Sequence, residues 1–243
     1  MKKLFTIAII VGISIGFLPS CNNSDPKQEF QIKIATMNMF DESRFYFLLD
    51  DGRLLLPVES AIRFTPRDHQ RVILNFTTLS DTHESFDNLI RINDLWSVLT
   101  KQVVKLTPQN AHLIGDDRVI INDIWEGGDF LNVSFRFNWG GFRPHYINLV
   151  KNTMIESTPE DGVIELEFRH NAYGSINPFN RDGLVSFDLR PFQVEGKDKV
   201  TLAIRVREPS GIRVIKVEYH FNQATPEATA NATIPPITSN EVY

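Results

Sequence analysis

"RVIINDIWEGGDFLNVSFRFNW", residues 118–139, decides the class of fold. Its second half alternates: Leu131, Val133, Phe135 and Phe137 fall on one side of an extended chain, with Asn132, Ser134 and Arg136 between them. Side chains along a strand point to opposite faces with a period of two, so this run reads as a strand with one buried face. "RVIINDIW" is short and rich in β-branched residues, and Glu126-Gly127-Gly128 gives it a connection of hairpin length. The same pattern continues downstream. "KVTLAIRVRE" (199–208) sets Val200, Leu202, Ile204 and Val206 on one side. "HYINLVKN" (145–152), "GVIELEFRHN" (162–171), "GLVSFDLRPF" (183–192) and "RVIKVEYHF" (213–221) are further β-like runs. About seven such strands, with turns every ten to twenty residues, predict a β-sandwich over 117–222.

Upstream lies a second β block. "RFYFLL" and "LLLPV" flank "DDGR", which predicts a hairpin with Asp-Gly at its tip. "RVILNFTTL" (71–79) has strand periodicity. "LIRINDLWSVLTKQVVKL" (89–106) is also compatible with an amphipathic helix, but Ile90, Ile92, Val103 and Val104 are β-branched and Asn93-Asp94 interrupts the run, so strands are expected. Phe45, Tyr46 and Phe47 are consecutive and must face both ways, so they need not form one platform. "TPQNAHLIGDD" (107–117) carries turn residues without periodicity and is taken as the boundary, giving a first domain over 30–107. Residues 223–243 lack a packing pattern and are expected to be a disordered tail.

The N-terminus has a separate logic. Lys2 and Lys3 precede an apolar run over residues 4–18, and "LPSC" closes it with the chain's single cysteine, Cys21. A lone thiol forms no internal disulfide. A cleaved secretory signal shares these regions, and a signal anchor would need about 20 apolar residues. The string resembles a bacterial lipobox: residues 1–20 a signal peptide, Cys21 the lipid attachment site, and 21–29 a polar tether. Acyl chains contribute about 0.8 kcal/mol per buried methylene, so several on one cysteine anchor a domain to the membrane without spanning it. The expected location is the outer membrane, with the face left open. Removing the signal leaves 23 basic against 30 acidic residues. That balance gives no electrostatic reason to hold nucleic acid.

Together these residues resemble the NigD-like lipoproteins of Gram-negative anaerobes. The likeness is carried by "DDGRLLLP" (50–57), "RVILNFTTL" (71–79), "VLTKQV" (98–103), "IWEGGDFLNVSFRF" (124–137), "HYINLV" (145–150), "ELEFRHNAYG" (165–174) and "GLVSFDLRPF" (183–192). It implies an all-β chain: an N-terminal OB-like barrel followed by a C-terminal antiparallel β-sandwich. It also implies a role in bacteriocin immunity, and it brings no catalytic residues.

No G-x-S-x-G elbow, P-loop or dinucleotide fingerprint occurs. His69, His83, His112, His145, His170 and His220 have no close metal-ligand spacing, although strand pairing could bring His145, His170 and His220 together. Neither a metal nor a cofactor is expected, and no catalytic residue is assigned. The binding candidates are Trp139, Phe142, Arg143 and Tyr146 in "NWGGFRPHY" (138–146), since loop aromatics can anchor a peptide or stack on a sugar. They could equally tuck over the end of the sandwich. Arg169, His170 and Asn171 are expected to form a polar network that fixes a loop. The resulting expectation is a non-catalytic envelope lipoprotein that binds a protein or peptide. A carbohydrate-binding accessory protein is the alternative, and a hydrolase a more distant one.

Overall fold

The computed structural model describes residues 29–41, 44–83, 85–140, 143–156, 162–175 and 179–221. The signal peptide, Cys21, most of the tether, Phe142 and the tail over 223–243 lie outside the described residues. The first five strands are β1 (Phe30–Met39), β2 (Phe45–Leu49), β3 (Leu54–Ser60), β4 (Gln70–His83) and β5 (Phe86–Ser97). They close into a barrel in the order β1-β2-β3-β5-β4, with β3 and β5 parallel and the other pairs antiparallel. Closure leaves no open sheet edge. Ala35, Met37, Phe47, Leu49, Leu55, Val72, Leu74, Phe76, Ile90 and Ile92 fill the interior. Fully burying a side chain of this size stabilises the fold by roughly 1.5–3 kcal/mol.

The segment 89–106 is extended, as its β-branched content predicts, but it does not belong to one domain. Strands β6 (Leu99–Gln102) and β7 (Val104–Leu106) leave the barrel and join the two sheets of the sandwich, one each. The barrel strands therefore end at Ser97, ten residues before the expected boundary. Next come a single helical turn, α1 (Ala111–Ile114), and strands β8 (Ile120–Gly127), β9 (Phe130–Trp139), β10 (Tyr146–Asn152), β11 (Val163–Asn171), β12 (Phe179–Asp188), β13 (Lys199–Glu208) and β14 (Gly211–His220). One sheet runs β14-β13-β11-β10-β7 and the other β6-β12-β9-β8. The β9 side chains that alternate in sequence, Leu131, Val133, Phe135 and Phe137, face those of β13 and their neighbours across one core. The sandwich is mixed rather than purely antiparallel. β6 with β12, β7 with β10 and β11 with β13 are parallel. These pairings follow from one extended segment serving both sheets and from β12 crossing to the opposite sheet.

The two domains share a buried polar seam. Arg71 of β4 has no solvent exposure and grips Asp50 with both terminal nitrogens, at 2.6 and 2.8 Å. Its guanidinium also donates to Thr36 Oγ1 (3.0 Å) and to Asn132 Oδ1 of β9 (2.8 Å). From the sandwich, Asn132 Nδ2 and Trp125 Nε1 donate to Asp50 Oδ2, and Ser186 donates to Asn132. A buried ion pair is tolerable only when its remaining lone pairs and protons are matched. Here the sandwich supplies part of the matching. Gly127 leaves room for this contact: a Cβ there would lie 2.3 Å from Asp50 Oδ2. Beside the network, Ile34, Ile73 and Val98 pack against Trp125, with Trp96 and Leu184 at the edge.

Candidate binding surfaces

Three of the four loop residues singled out in the sequence are described. Trp139 ends β9 on the inner face, at one end of the sandwich. It packs against His145 with centroids 5.5 Å apart, and the Arg181 guanidinium lies 5.4 Å from its ring. Tyr146 opens β10 on the opposite face of the other sheet, against Leu106, Ile114 and Val150. Lys101 Nζ sits 4.1 Å from that ring while donating to the Ile147 carbonyl, and burial pushes its ammonium down to about 8. Arg143 is exposed and stacks 3.6 Å over Tyr173. Trp139 and Tyr146 therefore belong to different sheets and different faces. Trp139, Tyr146 and Tyr173 each already carry a cation of the same chain. Such contacts are worth about 0.5–2 kcal/mol and must be displaced before another group can stack there.

Beneath Trp139 two histidines meet. His145 Nδ1 lies 2.9 Å from His170 Nε2, and His145 Nε2 lies 3.3 Å from the Gly140 carbonyl. Both rings are buried. A carbonyl only accepts, so His145 carries its proton on Nε2, and its bare Nδ1 accepts from His170 Nε2–H. That leaves His170 Nδ1 as a lone pair without a hydrogen-bond partner, consistent with the geometry. Burial, reinforced by the neighbouring His145, pushes His170 down to about 4. The third histidine does not join them: His220 binds Glu126, with Nδ1 3.0 Å from Oε2. Among the described residues no group of three or more His, Cys, Asp or Glu is placed to hold a metal ion.

The polar run 169–171 divides between faces. His170 points into the core, while Arg169 and Asn171 point out and hold the segment after α1. Asn171 Nδ2 donates to the Leu113 carbonyl (2.8 Å). Arg169 reaches the Gly115 carbonyl and pairs with Asp116 (3.2 Å) and Glu167. Gly115 has φ +73, and a Cβ there would meet Asn171 Cβ at 2.7 Å. The network thus fixes the α1 segment, and among the described residues it reaches the following loop through Asn171 Oδ1 and Asp117, which accept from the Tyr173 and Ala172 amides.

From sequence, no ligand is assigned to the second surface. An open cleft of about 550 Å³ at the barrel is lined by Phe40, Arg44, Phe45, Leu56, Pro57, Val58, Ser85 and Phe86. It lies where the ends of β1 and β2 approach the β4–β5 connection and β3, the face on which OB-type barrels carry ligands. The consecutive aromatics divide as their spacing requires. Phe47 is buried in the barrel, and Phe45 packs edge-on to Phe47 and Phe64, both at 5.6 Å. Tyr46 faces out, 4.8 Å from Phe40 and 6.1 Å from Phe86. Phe40 is 52% exposed and Val58 53%. The only signal in the sequence was an aromatic residue at each strand end, and barrel closure alone makes them neighbours.

Comparison with known proteins fits this architecture. The model of the NigD-like N-terminal OB domain matches residues 34–98, and that of the NigD-like C-terminal beta sandwich domain matches 102–219. The gap between them falls where the barrel strands end and β6 begins. No curated protein matches the chain. Among solved structures, a protein of unknown function from Bacteroides vulgatus superposes with a TM-score of 0.69 at 27% identity, covering 83% of this chain and all of that one. A toxin-related protein from Parabacteroides distasonis gives 0.67 at 30% identity, covering 79% and 94%. A NigD-like immunity protein from Bacteroides caccae gives 0.60 at 20% identity, covering 78% and 97%, a likeness of fold. With both domain models matched in order along one chain, this protein belongs to the NigD-like family.

Proposed function

We propose that this chain is a non-catalytic, lipid-anchored protein of the cell envelope that binds a protein or peptide, and that this binding serves immunity to a bacteriocin. The observation that carries the reading is the barrel cleft, an apolar concavity in which Phe40 and Val58 are each more than half exposed. Exposed apolar concavities mark sites that a partner covers. The immunity role is supported by the naming of a neighbour with the same fold and by the toxin-related relative at 30% identity. The anchor is supported by Lys2 and Lys3, the apolar run and "LPSC". No described helix is long and apolar enough to cross a membrane.

Carbohydrate binding through Trp139, Phe142, Arg143 and Tyr146 is the second reading, favoured by the exposed side chain of Arg143 in that loop. Expression in a bacteriocin-sensitive host tests the first reading. Survival against a producing competitor should rise with the wild-type chain and fall back with Phe40→Ala/Phe86→Ala or Cys21→Ala. Unchanged sensitivity with the wild-type chain would remove the immunity role. Glycan binding lost on Trp139→Ala, with survival unaffected, would favour the second reading.

A further inference from the structure

We infer that the occupant of the barrel cleft is a cationic amphipathic peptide segment, an inference that rests on the cleft being the binding site. The cleft and its rim differ in chemistry. Its walls are almost wholly apolar: Phe40, Phe45, Leu56, Pro57, Val58 and Phe86, with only Arg44 and Ser85 polar. Among the described residues that flank it, Asp41, Asp81 and Asp87 are acidic and Arg44 is basic. That arginine is already compensated, since Arg44 Nε lies 2.7 Å from Asp41. Asp81 and Asp87 are exposed. Asp87 accepts from the Leu54 amide, which leaves its charge in place, and Asp81 has no ion-pair partner among the described residues. On β3, Glu59 is the register partner of Arg91 on β5.

An apolar floor with an acidic rim selects its ligand by exclusion as well as by attraction. A nucleic-acid strand or an anionic bilayer would bring like charge to the rim, which is repulsive. A sugar needs several converging hydrogen-bond partners, and the walls offer two polar side chains. A peptide with apolar side chains on one face and lysine or arginine on the other satisfies both zones. The volume lies within the roughly 300–1,000 Å³ typical of ligand clefts. Buried apolar anchors then supply affinity, and the rim supplies on-rate and salt dependence.

The test uses the mature chain carrying Cys21→Ser and two short labelled synthetic peptides. One is built from Lys, Leu and a single Trp. The other has every Lys replaced by Glu. Fluorescence anisotropy should show the Lys peptide binding and the Glu peptide binding at least tenfold more weakly. Phe40→Ala/Phe86→Ala should weaken the Lys peptide about tenfold or more, the scale of losing one good anchor. Val58→Lys, at an exposed position that leaves the fold intact, should do the same by placing a cation in the mouth. Asp81→Lys should cost about threefold at low salt and little at high salt, because a Debye length of about 8 Å screens the rim. Equal, cleft-dependent binding of both peptides would overturn the charge preference and leave the cleft standing as a site. Lys-peptide binding unaffected by Phe40→Ala/Phe86→Ala and by Val58→Lys would overturn both the inference and the cleft reading beneath it. Sedimentation with phosphatidylglycerol vesicles that depends on Phe40 would assign the cleft to a membrane surface instead.

Discussion

The sandwich end and the barrel cleft both gather aromatic side chains, and they treat them in opposite ways. At the sandwich end Trp139, Tyr146 and Tyr173 each lie against a cation of the same chain, and a buried histidine pair fills the space beneath Trp139. At the cleft, Phe40 and Phe86 contact each other and the adjacent Tyr46, and Phe40 remains more than half exposed. Aromatic content alone therefore does not distinguish a ligand surface from a satisfied one. What separates them is whether the chain has already supplied a partner for each ring.

The first way to break the comparison is to ask whether the two regions belong to one cooperative unit. The seam predicts that they do. Asp50→Ala leaves the Arg71 guanidinium buried without its carboxylate, and removing one partner of a buried pair costs about 3–5 kcal/mol. Thermal melts should show one transition in the wild type and a large drop in Tm for the variant. Two separated transitions would show that the barrel melts alone. Gly127→Ala should destabilise in the same direction, because its Cβ would collide with that carboxylate.

A slightly smaller effect comes from acid. His170 is held at about 4 when folded, against an ordinary value near 6.5. Because the folded pKa is depressed, the unfolded chain takes up the proton first as pH falls. The neutral His170 ring's contribution is intact above about 6.5 and is lost as pH drops toward about 4, amounting to about 3 kcal/mol at most. Denaturant midpoints should fall across that window, and the fall should shrink in His170→Gln. A flat profile between these pH values would show that the ring is not held neutral.

How much of this was legible in the sequence depends on the distance over which each feature is determined. Strand periodicity is local, and Leu131, Val133, Phe135 and Phe137 took the positions their alternation predicts. The domain boundary is not local. Leu99–Leu106 reads as a continuation of the barrel, yet Val185 is the parallel partner of Leu99 and Val150 that of Val104. No pattern within those eight residues reveals that each half pairs with a different sheet. The same holds for the sites. The loop at 138–146 advertises its aromatics in one string, whereas Phe40 and Phe86 are distant in sequence and meet only when β1, β2, β4 and β5 close the barrel. His145 and His170 do converge, because β10 and β11 are antiparallel neighbours with His170 opposite Ile147.

The remaining predictions sharpen the contrast between covered and open rings through single truncations. Trp139→Ala removes a half-buried ring from between Phe137, His145 and Arg181. Truncating a fully buried Phe or Trp costs about 3–5 kcal/mol, so a half-buried one should cost about 2 kcal/mol, read as a lower Tm. Phe40→Ala acts on a ring more than half exposed whose aromatic neighbours are Tyr46 and Phe86, and aromatic pairs are worth about 0.5–1.5 kcal/mol beyond their area. Its truncation also relieves water of an apolar surface, which offsets part of that loss, so the net change should stay under about 1 kcal/mol. A covered ring is thus expected to stabilise the fold, and an open ring to cost the fold little while serving a ligand. If Phe40→Ala destabilised the chain as much as Trp139→Ala, the cleft aromatics would be structural and the distinction between the two regions would collapse. If Trp139→Ala left Tm unchanged, the sandwich end would have to be counted with the cleft as a second open surface.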